Sequence, residues 1–188
     1  MKIVGISGSI IGSKTRTAMD YLSKEISEKH PEATYTLIDL AEYNVQFSDG
    51  RNYLEYEGDT GFVTKQIMEA DAIVIGTPIF QASVPGTLKN IFDLLPVHAL
   101  RDKVVSILVT AGSPKHFLVA EQHLKPILAY MKGQIVQTIV FIEEKDFNRK
   151  EIINDDIFFR IERLVEDTVL LTETFTKLRE LKEAKYDF

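Results

Sequence analysis

A three-layer α/β sandwich, with five parallel strands between two layers of helices, is the fold this sequence predicts. Short apolar runs alternate with stretches of helical spacing, as βαβ units do. Each run is almost continuously apolar, which suits strands covered on both faces. Several of these runs also end in loops rich in Gly, Ser and Pro. In an open α/β sheet, ligands bind in the crevice at the carboxyl ends of the strands.

The strands fall at 2–7, 34–39, 71–76, 103–110 and 135–142. Helical spacing predicts helices at about 14–30, 61–70, 85–95 and 116–132. Met19, Leu22 and Ile26 form the apolar stripe of the first helix. The fourth starts after Ser113-Pro114 and ends at Gly133, a carboxyl-terminal cap. Pro126 lies inside it, has no N–H, and is expected to kink the helix or free a carbonyl near Gln122. Phe47 to Gly61 is polar and irregular and receives no assignment. A last helix, from about 155 to 182, follows the Asn154-Asp155-Asp156 cap. Its stripe is Ile157, Ile161, Leu164, Thr168, Leu171, Phe175 and Leu178. At about 40 Å it is longer than a small sheet needs. Its end, with a charged tail from Arg179 to Lys185, is expected to overhang or to contact another subunit in a homodimer or homotetramer.

The length of 188 residues predicts one domain, 1–188. With 45% hydrophobic and 27% charged residues, the chain reads as soluble and globular. A net charge of −6 argues against a nucleic-acid surface, which needs a basic face. No apolar run approaches the ~20 residues of a membrane span. The amino terminus enters a strand directly, so no signal peptide is expected and the cytoplasm is the expected location. With no cysteine, disulfides, thiol catalysis and iron–sulfur ligation are excluded. His116 and His123 share a helix face but have no third ligand nearby, so no metal is expected.

Three loops carry chemistry. The first, Gly8-Ser9-Ile10-Ile11-Gly12-Ser13-Lys14-Thr15-Arg16, opens the first helix with glycines, hydroxyls and two cations. Backbone amides at a helix amino terminus favour an anion, so this is a phosphate cradle. The dinucleotide spacing G-x-G-x-x-G is absent. A nucleotide P-loop is nearly met, with Ser13 where its second glycine belongs, but the central strands lack a terminal Mg²⁺-binding aspartate. Asp39 keeps that alternative open; a mononucleotide phosphate fits better. The second loop, Thr77-Pro78-Ile79-Phe80-Gln81-Ala82-Ser83-Val84-Pro85, is stiffened by its prolines and offers a flat ligand Phe80 and backbone amides. The third, Thr110-Ala111-Gly112-Ser113, is small enough for close approach. Their convergence predicts a flavodoxin-like sheet, order 2-1-3-4-5, with FMN at its switch point.

The segment Thr77-Pro78-x-Phe80-x-x-Ser83-x-Pro85-Gly86-x-Leu88-Lys89-Asn90-x-x-Asp93 resembles the signature of the NAD(P)H-dependent FMN reductases. Leu94-Leu95-Pro96, Leu100-Arg101-Asp102-Lys103-Val104-Val105 and Leu124-Lys125-Pro126-Ile127-Leu128 are most similar to the alkanesulfonate-linked branch, whose members supply reduced flavin to a partner monooxygenase. The resemblance covers about 1–145. It implies that Ser9, Ser13, Lys14, Thr15 and Arg16 hold the FMN phosphate. It implies that Pro78, Ile79, Phe80, Gln81 and Ser83 meet the isoalloxazine, and that Thr110, Ala111, Gly112 and Ser113 close its other edge. NADPH or NADH is the implied donor, with free FMN, a quinone or an azo dye as acceptor, and no protein acid or base is required for the hydride step. A flavodoxin-type electron carrier is the alternative. Two departures stand out: Ile11 where the family often has arginine, and Gln122-His123 where some members insert a tyrosine into the fourth helix. The second implies FMN held as a prosthetic group. Arg51 and Arg149 are unranked candidates for a phosphate-selective arginine.

Overall fold

Five parallel strands form one sheet in the order β2-β1-β3-β4-β5. They are β1 (Lys2–Ser7), β2 (Thr34–Asp39), β3 (Ala72–Pro78), β4 (Val104–Ala111) and β5 (Gln134–Glu143). The computed structural model describes residues 1–184. The helices are α1 (Lys14–Lys29), α2 (Gly58–Glu69), α3 (Gly86–Leu94), α4 (Lys125–Tyr130) and α5 (Asp155–Glu183). The order reverses between β1 and β3, which places the switch point where the sequence predicts it.

Every residue of β3 and β4 is buried, which accounts for their unbroken apolar sequence. One core layer packs Ile73, Ile75, Ile107 and Val109 against Val63, Ile67, Leu88, Ile91, Leu124 and Leu128. On the opposite face, Ile3, Val74, Val104 and Leu108 meet Met19, Leu22, Ile157, Ile161 and Leu164. β3 runs two residues further than predicted. Its hydrogen bonding continues, with Pro78 in register with Thr110 and the Ile79 N–H donating to the Thr110 carbonyl at 3.1 Å.

The Phe47–Gly61 stretch becomes a short 3₁₀ turn, Tyr53–Glu55, capped by Asn52, followed by the start of α2 at Gly58. Asn90 anchors it: its amide donates to the Gln46 carbonyl at 2.9 Å, and its side-chain oxygen accepts from the Ser48 N–H at 2.9 Å. A two-stranded hairpin that the sequence did not announce, β6 (Phe147–Asn148) and β7 (Glu151–Ile152), precedes α5.

The fourth predicted helix is broken into a 3₁₀ turn at Pro114–His116, a π turn at Ala120–Leu124, and α4. The Lys125 N–H reaches back to the Ala120 carbonyl. Pro126 offers no N–H to the Gln122 carbonyl and crowds it, and the wide turn just upstream relieves that conflict. The expected disturbance at Gln122 is therefore present, as a π turn formed without an inserted tyrosine.

Asn154 caps α5, accepting from the Asp156 N–H at 3.1 Å. The helix buries Ile157, Ile161, Leu164, Val165, Thr168, Val169 and Thr172. Beyond Thr172 no described residue is buried, so the distal part overhangs as its length predicts. Lys185, at the end of the charged tail, lies outside the described residues.

The Tyr35 hydroxyl is buried, with no hydrogen-bond partner among the described residues. Burial pushes this phenol up to about 12, against about 10 in an unfolded chain. The native state therefore holds this proton longer than the unfolded state does. The resulting stability is complete below about pH 10 and is lost as pH rises towards 12, on the order of 2 kcal/mol. Urea unfolding at pH 9 and pH 11.5 is expected to show this loss, and Tyr35→Phe is expected to flatten it.

Candidate flavin site

At the end of β1 the chain turns sharply and is held from below. The Gly8 N–H donates to the Gly76 carbonyl at 2.8 Å, and Thr87 Oγ1 donates to the Gly8 carbonyl at 3.0 Å. A side chain at Gly8 would begin 3.0 Å from the Gly76 carbonyl and 3.1 Å from Leu88 Cδ2, so glycine is needed for this approach. Ser9 Oγ accepts from the Ile11 N–H at 3.1 Å and donates to the Ile11 carbonyl at 2.6 Å, folding the loop on itself. Gly12, at φ +82°, completes the turn.

Ser13 occupies the N-cap of α1 without making the usual side-chain cap. The first N–H bonded within the helix is that of Thr17, to the Ser13 carbonyl at 2.8 Å. The amides of Lys14, Thr15 and Arg16 and the Ser13 hydroxyl remain directed outward, which is an anion-binding donor set. Thr15 and Thr110, both buried, share a 2.7 Å hydrogen bond that ties this loop to the end of β4.

After Ile79, the chain makes a two-residue turn. Phe80 and Ser83 exchange both backbone hydrogen bonds at 2.9 Å, while Gln81 and Ala82 sit at φ 48° and 58°. Left-handed backbone at two successive non-glycine residues costs on the order of 1 kcal/mol each and marks a functional turn more often than a random one. It leaves Phe80 40% exposed as a lip. Ser83 Oγ lies 3.1 Å from His123 Nδ1 in the π turn, linking the lip to that wide turn.

These loops enclose one recess of about 340 Å³. Of the predicted residues it gathers Ser13, Lys14, Thr15, Pro78, Ile79, Phe80, Thr110, Ala111 and Gly112. Ser9 serves the shape of the loop. Gln81 forms the strained turn, Ser83 faces His123, and Ser113 caps the 3₁₀ turn by accepting from the Lys115 N–H at 3.3 Å. Arg16 does not join the recess: Asp20, Asp39 and Glu42 each bind its guanidinium at 2.7 Å. Those carboxylates also raise its pKa well above the usual arginine range. Arg51, a candidate phosphate-selective arginine, is paired with Asp49 and lies over the Tyr56 ring at 4.8 Å.

Two lining residues escape sequence reasoning. Glu144 and Phe147 come from the connector after β5, whose end reaches the same sheet edge. Glu144 pairs with Lys14, and Lys14 Nζ lies 5.8 Å from the centre of the Phe147 ring. The only available signal was topological, since β5 also points its carboxyl end at the switch-point edge.

The residues fit FMN. Hydroxyls, helix amides without intrahelical partners and one ammonium lie at one end, and Pro78–Phe80 and Thr110–Gly112 line the other.

Comparison with known proteins places the chain in a family. The family model for NADPH-dependent FMN reductase matches residues 1–147. An NAD(P)H-dependent FAD/FMN reductase of Geobacillus thermodenitrificans is 38% identical over 170 residues, covering 90% of this chain and 92% of that protein. The NADH-dependent FMN reductase SfnF of Pseudomonas fluorescens is 28% identical over 178 residues, covering 94% and 95%. Among solved structures, the apo form of an NADH:FMN oxidoreductase, EmoB, superposes with a TM-score of 0.74 at 25% identity, covering 90% of this chain and 88% of that one. The chain belongs to the NADPH-dependent FMN reductase family.

Proposed function

We propose that this NAD(P)H-dependent flavin reductase holds FMN with its phosphate on Ser13, Lys14, Thr15 and the first amides of α1, and its ring between Pro78–Phe80 and Thr110–Gly112. The convergence of three βα loops on one recess is the observation that carries this placement. FMN, once bound, supplies the hydride chemistry. The chain's own residues bind and orient: the Thr15–Thr110 bond keeps the two ends of the site in register, and the rigid Phe80–Ser83 turn sets the height of the lip. No side chain in the recess is needed as a proton donor or acceptor for transfer between a nicotinamide and a flavin.

The further acceptor is free FMN, whose reduced form serves a partner monooxygenase. The resemblance to the alkanesulfonate-linked branch supports this, and a quinone or azo dye is the competing acceptor. A homodimer or homotetramer is supported by exposed apolar residues of α5, Leu170 on its packed part and Leu178 and Leu181 on its overhang, and by the groove between α3 and α4 around Val97 and Tyr130. The cytoplasm is the proposed location; no described helix is long and apolar enough to cross a membrane.

Steady-state oxidation of NADPH and NADH against FMN, menadione and an azo dye tests the assignment. FMN as the acceptor with the highest kcat/KM supports it. Turnover only with the quinone or dye would overturn the free-flavin step. Absence of flavin binding would overturn the site itself.

A further inference from the structure

Charge in the recess is balanced by the protein itself. Among the described residues, Lys14 and Glu144 are its only charged lining residues, and they pair with each other. The nearby arginine, Arg16, is committed to three carboxylates outside the recess. A phosphate on the amino terminus of α1 must therefore share its one ammonium with a carboxylate of the chain.

Glu144 is held in place. It opens a 3₁₀ turn, Glu144–Asp146, closed by a reciprocal cap in which Asp146 Oδ2 accepts from the Glu143 N–H at 2.8 Å. Asp146, itself buried, also accepts from Asn154 Nδ2 at 2.8 Å, and its carbonyl accepts from the Ile153 N–H at 2.8 Å. The turn is thus braced against the cap of α5, while the Glu144 side chain, 63% exposed, reaches Lys14. Lys145, next along, pairs with Glu143 and not with Glu144.

We infer that Glu144 is an affinity-setting residue for the phosphate end of the flavin: it competes for Lys14 and repels the phosphate, so that FMN exchanges rather than staying as a fixed prosthetic group. This rests on the placement of FMN proposed above. It also points the opposite way from the missing fourth-helix tyrosine. The effect is selective, because a carboxylate beside the phosphate acts on FMN and not on riboflavin, which has the same ring and ribityl chain without the charge.

The test is a titration of FMN and of riboflavin, followed by quenching of flavin fluorescence at low ionic strength, with wild type, Glu144→Gln and Glu144→Ala. Removing one like charge from a solvent-exposed site is expected to lower the Kd for FMN roughly fivefold in both variants and to slow FMN release, with riboflavin affinity unchanged. The gain for FMN is expected to disappear at high salt. Unchanged or weaker FMN binding would overturn the proposal. So would an equal change for riboflavin, since Glu144 would then be contacting the uncharged part of the ligand. Wild-type protein that binds neither flavin would instead overturn the placement on which the proposal stands.

Discussion

Leu88→Ala is expected to lower the melting temperature by roughly 10 °C and to weaken FMN binding in the same variant. Leu88 is fully buried in α3 and supports the underside of the first loop, within van der Waals reach of Gly8. Truncating a buried leucine costs about 2–5 kcal/mol, through lost transfer energy and the cavity left behind. In a domain of this size each kcal/mol moves the midpoint by about 2–4 °C. The loop hangs from the same helix turn through Thr87 Oγ1 and the Gly8 carbonyl, so the cavity opens where the phosphate cradle is supported. Calorimetry with and without FMN measures both effects. A shift below about 2 °C would show that the neighbouring chains collapse into the gap.

Lys14→Ala is expected to weaken FMN binding by about 10- to 150-fold while leaving riboflavin nearly unaffected. A charge-assisted hydrogen bond contributes about 1.5–3 kcal/mol, and each 1.4 kcal/mol is tenfold in affinity. The substitution also leaves Glu144 facing the phosphate without its counter-ion. Arg16→Ala is the informative contrast. Its guanidinium is engaged by Asp20, Asp39 and Glu42, so FMN affinity should change by less than about threefold. Equal losses in the two variants would mean that Arg16 changes partners when the ligand binds.

That contrast shows where sequence reasoning stopped. Lys14 and Arg16 are two positions apart, about 200° around a helix, and a motif records both as cations near a phosphate. Only the fold shows that one faces the recess and the other faces the end of β2. The sheet order was legible because the central strands are nearly continuous apolar runs and the first two chemical loops follow β1 and β3. The ends of β3 were not, because pairing across Ile79 and Thr110 is a property of the neighbouring strand. Pro126 announced a disturbed helix but not a π turn, since the carbonyl it leaves without a donor can be accommodated in several ways. Glu144 and Phe147 lay in a connector without periodicity or motif, and only the direction of β5 brings them to the site.

The family signature proves to hold two kinds of residue. Pro78 and Phe80 line the recess, whereas Asn90 fastens the strap at Gln46 and Ser48. Leu88, with Thr87 beside it, supports the opposite loop from beneath. One short stretch therefore organises both ends of the site.

The burial pattern of α5 governs the order in which the protein can be finished on the ribosome. The β4–β5 part of one side of the sheet, including Val104, Leu108, Val140 and Ile142, waits for Ile157, Ile161, Leu164, Val165 and Val169, which are translated after all five strands. A nascent chain can complete the α2–α3–α4 layer first, with α1 over part of the other side, and must carry the β4–β5 part bare until α5 emerges, at about 5–20 residues per second. For some seconds each newly made molecule is thus sticky over that uncovered region, on the side away from α2 and α3. Premature termination ahead of Asn154 would make that transient state permanent.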